Sequence, residues 1–590
     1  MNVLGISCFF HDSAAALLVN GDFVAGAHEE RFTRIKHDSA FPLNSIQYCL
    51  NKVGLKPEDI DAVVYYEKPF LKFERILENY LDVAPSGFRS FSKAIPVWLG
   101  EKLFTRKNLG KSLLKLGFEK DIAEKLLFSG HHLSHASSAF YSSPFNDAAI
   151  LTLDGVGEWA TATLGHGNEN GLYFFKELNY PDSPGLLYSA FTYFLGFRVN
   201  SGEYKVMGLA PYGRPVFKDL ILEKMIQLKE DGSFRLNQKY FRYRAGLTMT
   251  TRHFSDLLCV EKRDEKDALE QVHKDIAASI QSVIEEIVVR MSKTAIALSG
   301  SRNLCLAGGV ALNCTANGRL LREGICDELY VQPASGDAGG ALGAALAYWH
   351  LGLKKPKSHD QSVTPVSKKS NYESEGVSKQ LDECHAVYKN MDWPELYSHI
   401  AQKISEGKVV AWYQGEMEWG PRALGNRSIL ADPRNADMKS ILNEKIKMRE
   451  SFRPFAPAVL PELADQYFES GIADAYMTRV CIVRDEIVNG KAAFNLPAIT
   501  HVDGTARVQL VDKNERPEFY NLLKAVYELT GCAVLVNTSF NLRGEPPVCS
   551  LKDAFATFMH SGIDILVVHN CILYKENQQV VPSRPFLSGD

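Results

Sequence analysis

The sequence predicts an α/β protein in two parts: a long N-terminal part with internal duplication, and a separate C-terminal α/β domain. Two similar β-meanders, a series of strand–glycine–helix steps after them, and one break in composition carry that expectation. The break runs from Leu351 to about Tyr372, LGLKKPKSHDQSVTPVSKKSNY, which is rich in Lys, Ser and Pro and has no apolar period, as a linker does. It divides the 590 residues into 1–350, a linker at 351–372, and 373–590.

The first apolar run, NVLGISCFF, stops at the polar step His11-Asp12; AAALLV follows, and Asn20-Gly21 turns the chain into a third run. Asn-Gly favours the positive backbone angles of a two-residue hairpin. From Asp147 the pattern returns, with Asp154-Gly155 at the first step and Asn170-Gly171 at the second turn. The echo predicts a duplicated ATPase-like fold, although two ordinary meanders would read alike. Val272, Ile276, Ile280, Val283, Ile287 and Met291 then recur at helical spacing and predict a helix with a buried stripe. Next come a strand at 303–307, Gly308-Gly309 and a helix holding Asn313, then a strand at 329–332, the loop ASGDAGG and a helix. Strand, glycine turn and helix N-terminus can set backbone N–H groups against phosphate, and glycines also serve close helix packing. After the linker, helices are expected at 393–406, 436–448 and 518–529, and strands at 409–413, 478–484 and 533–537.

Composition excludes several classes. The chain is 45% hydrophobic and 23% charged, with 66 Lys plus Arg against 70 Asp plus Glu, a formal charge of -4. A dedicated nucleic-acid binder usually shows a basic excess, so no nucleic-acid partner is expected. No apolar stretch reaches the ~18 residues of a membrane helix, and the N-terminus lacks the basic start of a signal peptide. Eleven scattered cysteines, odd in number and without a C-x-x-C pair, disfavour a disulfide framework or zinc finger. A cytoplasmic protein without a membrane partner is expected; a homodimer is compatible with the sequence.

Two clusters could carry chemistry. His131 and His135 in HHLSHA stand at i and i+4, one face of a helix, which suits two ligands of one metal, although such pairs are often incidental. Asp154 and Asp337 could complete the set, and mixed imidazole and carboxylate donors suit Fe(II) first, then Zn or Mn. The second cluster is cationic: Lys445, Lys447, Arg449 and Arg453, then Arg507 and the run NTSFNLRG ending in Arg543-Gly544. Lys445 reads as a solvated surface charge. The FRPFAP context draws Arg453 inward, where a guanidinium needs an anion such as phosphate or carboxylate.

The segments FHDSAAALLVNG, EERFTRIKH, HHLSHASSAFY, LTLDGVGE, GEYKVMGLAPYG, LAGGVALNCTANGRL, SGDAGGALGAAL, GPRALGNRSILADPR, KMRESFRPFAP and NTSFNLRGEPPV, in this order, resemble the ATP-dependent O-carbamoyltransferases of antibiotic and nodulation-factor biosynthesis. The first part is similar to the metal-binding half of the tRNA threonylcarbamoyl-transfer machinery, of actin-like ATPase fold. The second is similar to the YrdC-type synthase domain, with K-x-R and S-x-N signatures at Lys447-Met448-Arg449 and Ser539-Phe540-Asn541. The resemblance implies that the C-terminal domain makes carbamoyl-adenylate from carbamoyl phosphate and ATP, the latter with Mg. Lys447, Arg449, Arg453, Arg507 and Arg543 would hold phosphate and the carbamoyl group, with Ser539 and Asn541 on the adenylate. It further implies a metal on His131, His135, Asp154 and Asp337, nucleotide contacts from Lys205, Gly308, Gly309 and Asn313, and His11 as the base for a small-molecule hydroxyl.

Transfer of a carbamoyl or threonylcarbamoyl group to tRNA calls for a basic surface that the charge of -4 does not provide. The hydrogenase-maturation type would add an acylphosphatase domain and C-x-x-C motifs. A non-catalytic nucleotide-binding regulator would need neither cluster, and a sugar kinase would leave the second domain unexplained.

Overall fold

In the computed structural model, which describes residues 1–97, 104–357, 374–490 and 495–579, the first apolar run is β1 (Asn2–Ser7). It pairs antiparallel with β2 (Ala14–Val19), which pairs with β3 (Asp22–His28). On its other side β1 runs parallel to β4 (Ala62–Tyr65), followed by β5 (Leu126–Phe128), so the order is β3-β2-β1-β4-β5. The second meander repeats this plan. β6 (Ala148–Leu153), β7 (Ala160–Asn168) and β8 (Gly171–Asn179) are antiparallel, and β6 runs parallel to β9 (Asn303–Ala307), itself parallel to β10 (Glu328–Val331). Two five-stranded sheets with the same connectivity make the duplication a property of the fold, the arrangement of actin-like ATPases. Every residue of β6 and all but the first of β1 are buried, as in strands covered on both faces.

Helices α1 (Pro69–Asp82), α2 (His131–Phe140), α3 (Gln271–Ser299), α4 (Cys314–Arg322) and α5 (Asp337–Ala347) surround these sheets. On α3, Ile276, Ile280, Val283, Ile287 and Met291 are buried, so the 3.6-residue period does mark core. Helix α5, DAGGALGAALA, is buried along its whole length. Its small residues let it pass between β1 and α2: a Cβ on Gly5 would lie 1.8 Å from the Ala341 carbonyl oxygen, and one on Gly343 only 1.7 Å from that of Ser134. Gly343→Ala should therefore push α2 from α5, at about 1 to 3 kcal/mol for an overpacked site. A lower melting temperature together with weaker metal retention is the expected result; a wild-type melt would show that the helices yield without cost.

Contacts divide the chain into two units, Met1–Glu29 with His37–Pro365, and Glu30–Lys36 with Val366–Asp590. The first unit's helical material extends through one more turn, Tyr348–Gly352, so Leu351 and Gly352 are helical. Residues 353–357 follow without helix or strand, and the remainder of the expected linker, 358–372, lies outside the described residues. The second unit is built on a mixed sheet of β11 (Lys389–Asn390), β12 (Val410–Tyr413), β13 (Arg427–Ala431), β14 (Ala456–Val459), β15 (Gln509–Leu510), β16 (Val534–Ser539), β17 (Ile565–Val568) and β18 (Cys571–Tyr574). Its order is β11-β18-β17-β12-β13-β16-β14-β15, with α6 (Trp393–Ser405) packed on α7 (Pro517–Thr530).

Two expectations need correction here. The helix expected over 436–448 is a short segment, Met438–Ile446, whose last turns widen: the Lys447 N–H reaches back to the Leu442 carbonyl, and Met448 has a left-handed φ of 48°. Widened turns of this kind recur at functional sites. The strand expected over 478–484 shrinks to Cys481–Ile482, paired with Thr505–Ala506, because the Asp474 carboxylate draws the N–H groups of Tyr476 and Thr478 into a loop. Among the described residues no helix is long and apolar enough to cross a membrane.

Candidate functional site

In the first unit the ends of α2, β6 and α5 meet. α2 starts where Glu158 accepts the His131 N–H at 3.0 and 3.1 Å, a carboxylate at a helix N-terminus. One turn later the two imidazoles share a face, with His135 Nε2 3.1 Å from His131 Nε2. Asp154, just past β6, brings Oδ2 to 2.7 Å from His131 Nε2 and 3.4 Å from His135 Nε2. Asp337, the first residue of α5, places Oδ1 3.7 Å from both. The four ligand atoms lie within 4.8 Å of one another. Two buried nitrogens turned on each other and on two carboxylates fit a transition-metal ion, which replaces proton sharing by coordination. Glu67 Oε2 stands 3.8 Å from the Nδ1 of His131 and is paired with Lys72 at 2.7 Å, the place of an outer carboxylate behind a metal-bound imidazole.

Burial alone would discharge His131, but Asp154 and Glu67 override it and hold the imidazole protonated well above its usual range. Burial likewise opposes charge on Asp154, and hydrogen bonds from His131 and His135 still keep it well below the usual carboxylate range. His132, one residue on, is different: burial lowers it to about 3, and it bonds Thr152 Oγ1 and the Ala160 carbonyl, a structural histidine.

A metal must displace the protons on these imidazoles, so its retention should fall as pH is lowered. His131→Ala and Asp337→Ala should each lower metal content by at least about tenfold, since even an outer partner typically contributes 10- to 100-fold in affinity. Elemental analysis after dialysis checks both; unchanged content in both variants would remove the metal site.

His11 sits in the turn between β1 and β2 with Nε2 3.7 Å from Asp337 Oδ2. Burial would lower its imidazole, but Asp337, ahead of Asp12, carries it up to about 9. That value is well above the ordinary imidazole value of 6.5, and a cation on Asp337 and Asp154 would oppose the shift.

The expected nucleotide residues divide. The Gly309 N–H donates to Asp154 Oδ1 at 3.1 Å. Gly308, at φ 93°, is pressed on β6, where a Cβ would come within 2.2 Å of the Leu153 carbonyl oxygen. Lys205 is buried 5.8 Å from the Phe197 ring. Asn313 precedes α4 as its cap rather than lying within it, and its amide forms a reciprocal pair with Gln281 at 3.0 Å both ways.

In the second unit the two signatures converge. Lys447 Nζ contacts Asn541 Oδ1 at 2.8 Å, the Asn541 carbonyl at 3.0 Å and Ser539 Oγ at 3.4 Å, besides the Ser539 carbonyl. Ser539 in turn donates to Asn541 Oδ1 at 2.7 Å. Burial, then the positive charges of Arg449 and Arg453, lowers the ammonium well below its usual range. Arg449 donates to Asn443 Oδ1 and lies 4.7 Å from the Phe455 ring; Arg453 pairs with Glu450 at 3.4 Å. Exposed Arg543 reaches the Met448 carbonyl at 3.5 Å. Arg507 is half-buried beside His501, with Nε lacking a hydrogen bond; none of its described contacts joins it to the others.

Sequence reading missed Glu67, Glu158, Asp12 and His37. Glu158 lay within the quoted LTLDGVGE, His37 at the end of the quoted EERFTRIKH, and Asp12 beside His11; Glu67 gave no local signal.

The profile of the carbamoyltransferase N-terminus matches residues 2–346, and that of the carbamoyltransferase C-terminus residues 401–575. An uncharacterised protein of Synechocystis is 50% identical over 98% of this chain and 97% of its own length. Nodulation protein NolNO of Sinorhizobium fredii is 39% identical, over 96% of this chain and 79% of its own. Nodulation protein U of Rhizobium tropici is 28% identical, over 98% and 96%.

Proposed function

The chain belongs to the carbamoyltransferase family, and from that premise we propose a two-step O-carbamoyltransferase whose two units each carry one step. Family membership makes it a transferase using carbamoyl phosphate and ATP. The second unit makes carbamoyl-adenylate: carbamoyl phosphate and water give carbamate and phosphate, and carbamate attacks the α-phosphorus of ATP with loss of pyrophosphate. Adenylation gives a poor electrophile a good leaving group. The observation that carries this reading is Lys447, a buried ammonium whose charge is opposed by Arg449 and Arg453. Cations crowded away from water need an anion, and phosphate matches them. Ser539 and Asn541 orient the adenylate, and Arg543, at the Met448 carbonyl, faces phosphate with Arg449 and Arg453; the same role for Arg507 rests on the family resemblance alone.

In the first unit, Lys205, Gly308, Gly309 and Asn313 hold the nucleotide, the Asn313 contact competing with Gln281. His131, His135, Asp154 and Asp337 would hold a divalent ion, Fe(II) by donor type with Zn or Mn as alternatives, and the ion would neutralise the adenylate phosphate. His11 takes the proton of the attacking hydroxyl. The acceptor is a small molecule, a glycoside, antibiotic or nodulation-factor-like compound, met in the cytoplasm. Pyrophosphate release from ATP that requires carbamoyl phosphate tests the first step; release independent of carbamoyl phosphate would overturn it. Mass spectrometry of candidate glycosides incubated with both substrates identifies the acceptor.

A further inference from the structure

We propose that Asp12 and His37 are positioning residues that fix the tautomer and aim of His11, an inference resting on the reading of His11 as the proton acceptor. Asp12 uses one oxygen for each imidazole: Oδ2 lies 2.9 Å from His11 Nδ1, and Oδ1 lies 2.7 Å from His37 Nδ1. A carboxylate only accepts, so both Nδ1 atoms carry hydrogen. When His11 is neutral, its lone pair then resides on Nε2, the nitrogen on the Asp337 side.

The backbone is held in an unusual form to achieve this. Phe9, Asp12 and His37 have φ of 71°, 52° and 56°, left-handed values at three non-glycine residues. Such conformations persist only where the surroundings impose them, and they cluster at functional sites. Here the segment after His37 imposes them: the Phe9 N–H donates to the Ser39 carbonyl and the Ser13 N–H to the Asp38 carbonyl, both at 2.8 Å. Residues 37–40 thus brace the whole turn that carries His11, and His37 supplies the polar end of that brace.

In the transfer step the acceptor oxygen bonds to the carbamoyl carbon, AMP leaves with the electron pair, and the hydroxyl proton passes to His11 Nε2. Asp12 faces the resulting imidazolium and keeps its own proton count throughout, as the carboxylate of a catalytic triad does.

A double-mutant cycle separates positioning from simple support of the fold. The reaction is AMP release from chemically supplied carbamoyl-adenylate by the full-length chain, with water as the acceptor. Asp12→Asn should slow it by about 10² to 10⁴, and His37→Asn by about tenfold. In the His11→Asn background, Asp12→Asn should add less than about threefold, because its partner is gone. A full Asp12→Asn effect in that background, or a wild-type rate for Asp12→Asn alone, overturns the proposal. A wild-type rate for His11→Asn instead sinks the reading of His11 on which it rests. Should Asp12→Asn fail to fold, judged by melting temperature and metal content, the same cycle with His37→Asn decides.

Discussion

Replacing His11 by Asn should slow carbamoyl transfer by about 10² to 10⁴, the range typical of a lost general base. That corresponds to about 3 to 5 kcal/mol of transition-state stabilisation. Pyrophosphate release should stay near the wild-type rate, because Lys447, Ser539 and Asn541 belong to the other unit. Asn preserves a polar side chain in a turn already braced by Ser39 and Asp38, so the fold is not what the substitution tests. Transfer at the wild-type rate with an accepted substrate near neutral pH would assign His11 to structure, as a partner of Asp12 and no more.

Lys447→Met should slow adenylate formation, with pyrophosphate release reduced by about 10² to 10³, as when one preorganised charge stabiliser is removed. Met keeps the length of the stem while removing the ammonium. The Ser539 carbonyl and Asn541 Oδ1 lose a donor, but a desolvated and mutually repelled cation also disappears, so the stability cost is smaller than the loss of activity. Arg453→Ala should act in the same direction. Normal pyrophosphate release in both would remove phosphate from this pocket.

Much of the first unit was legible because its signals are local. The Asn-Gly turns, the two polar steps at His11 and Asp154, and the apolar period of 272–291 each report on residues adjacent in sequence, and each matches the fold. The i, i+4 histidines were legible for the same reason, since α2 itself sets their spacing. What brings Asp154 and Asp337 to them is packing. Gly343 lets α5 approach Ser134 along a stretch that reads only as small and apolar.

Where tertiary contacts decide, local reading gave out. Glu30–Lys36 groups with the second unit: Arg31 donates to the Gly420 carbonyl at 2.7 Å, and Arg34 to those of Pro546 and Pro547 at 2.8 and 2.6 Å. Nothing in EERFTRIK announces partners 389 to 513 residues away. Residues 436–448 keep a helical pattern, yet the Leu442 carbonyl pairs with the Lys447 N–H and the helix ends early, delivering Lys447 to Ser539. The resemblance put Asn313 at the nucleotide, but its pairing with Gln281 was not legible, because Gln281 is on a helix read only for its apolar stripe.

The division of labour between the units is tested most directly by giving chemically prepared carbamoyl-adenylate to the Lys447→Met chain and following carbamoylated product by mass spectrometry. Product at close to the wild-type rate, from a variant whose pyrophosphate release from ATP and carbamoyl phosphate is reduced by about 10² to 10³, is the expected result. No product from the supplied adenylate, with the first unit still metal-loaded, would contradict it, because Lys447 would then be needed for transfer as well as for making the intermediate.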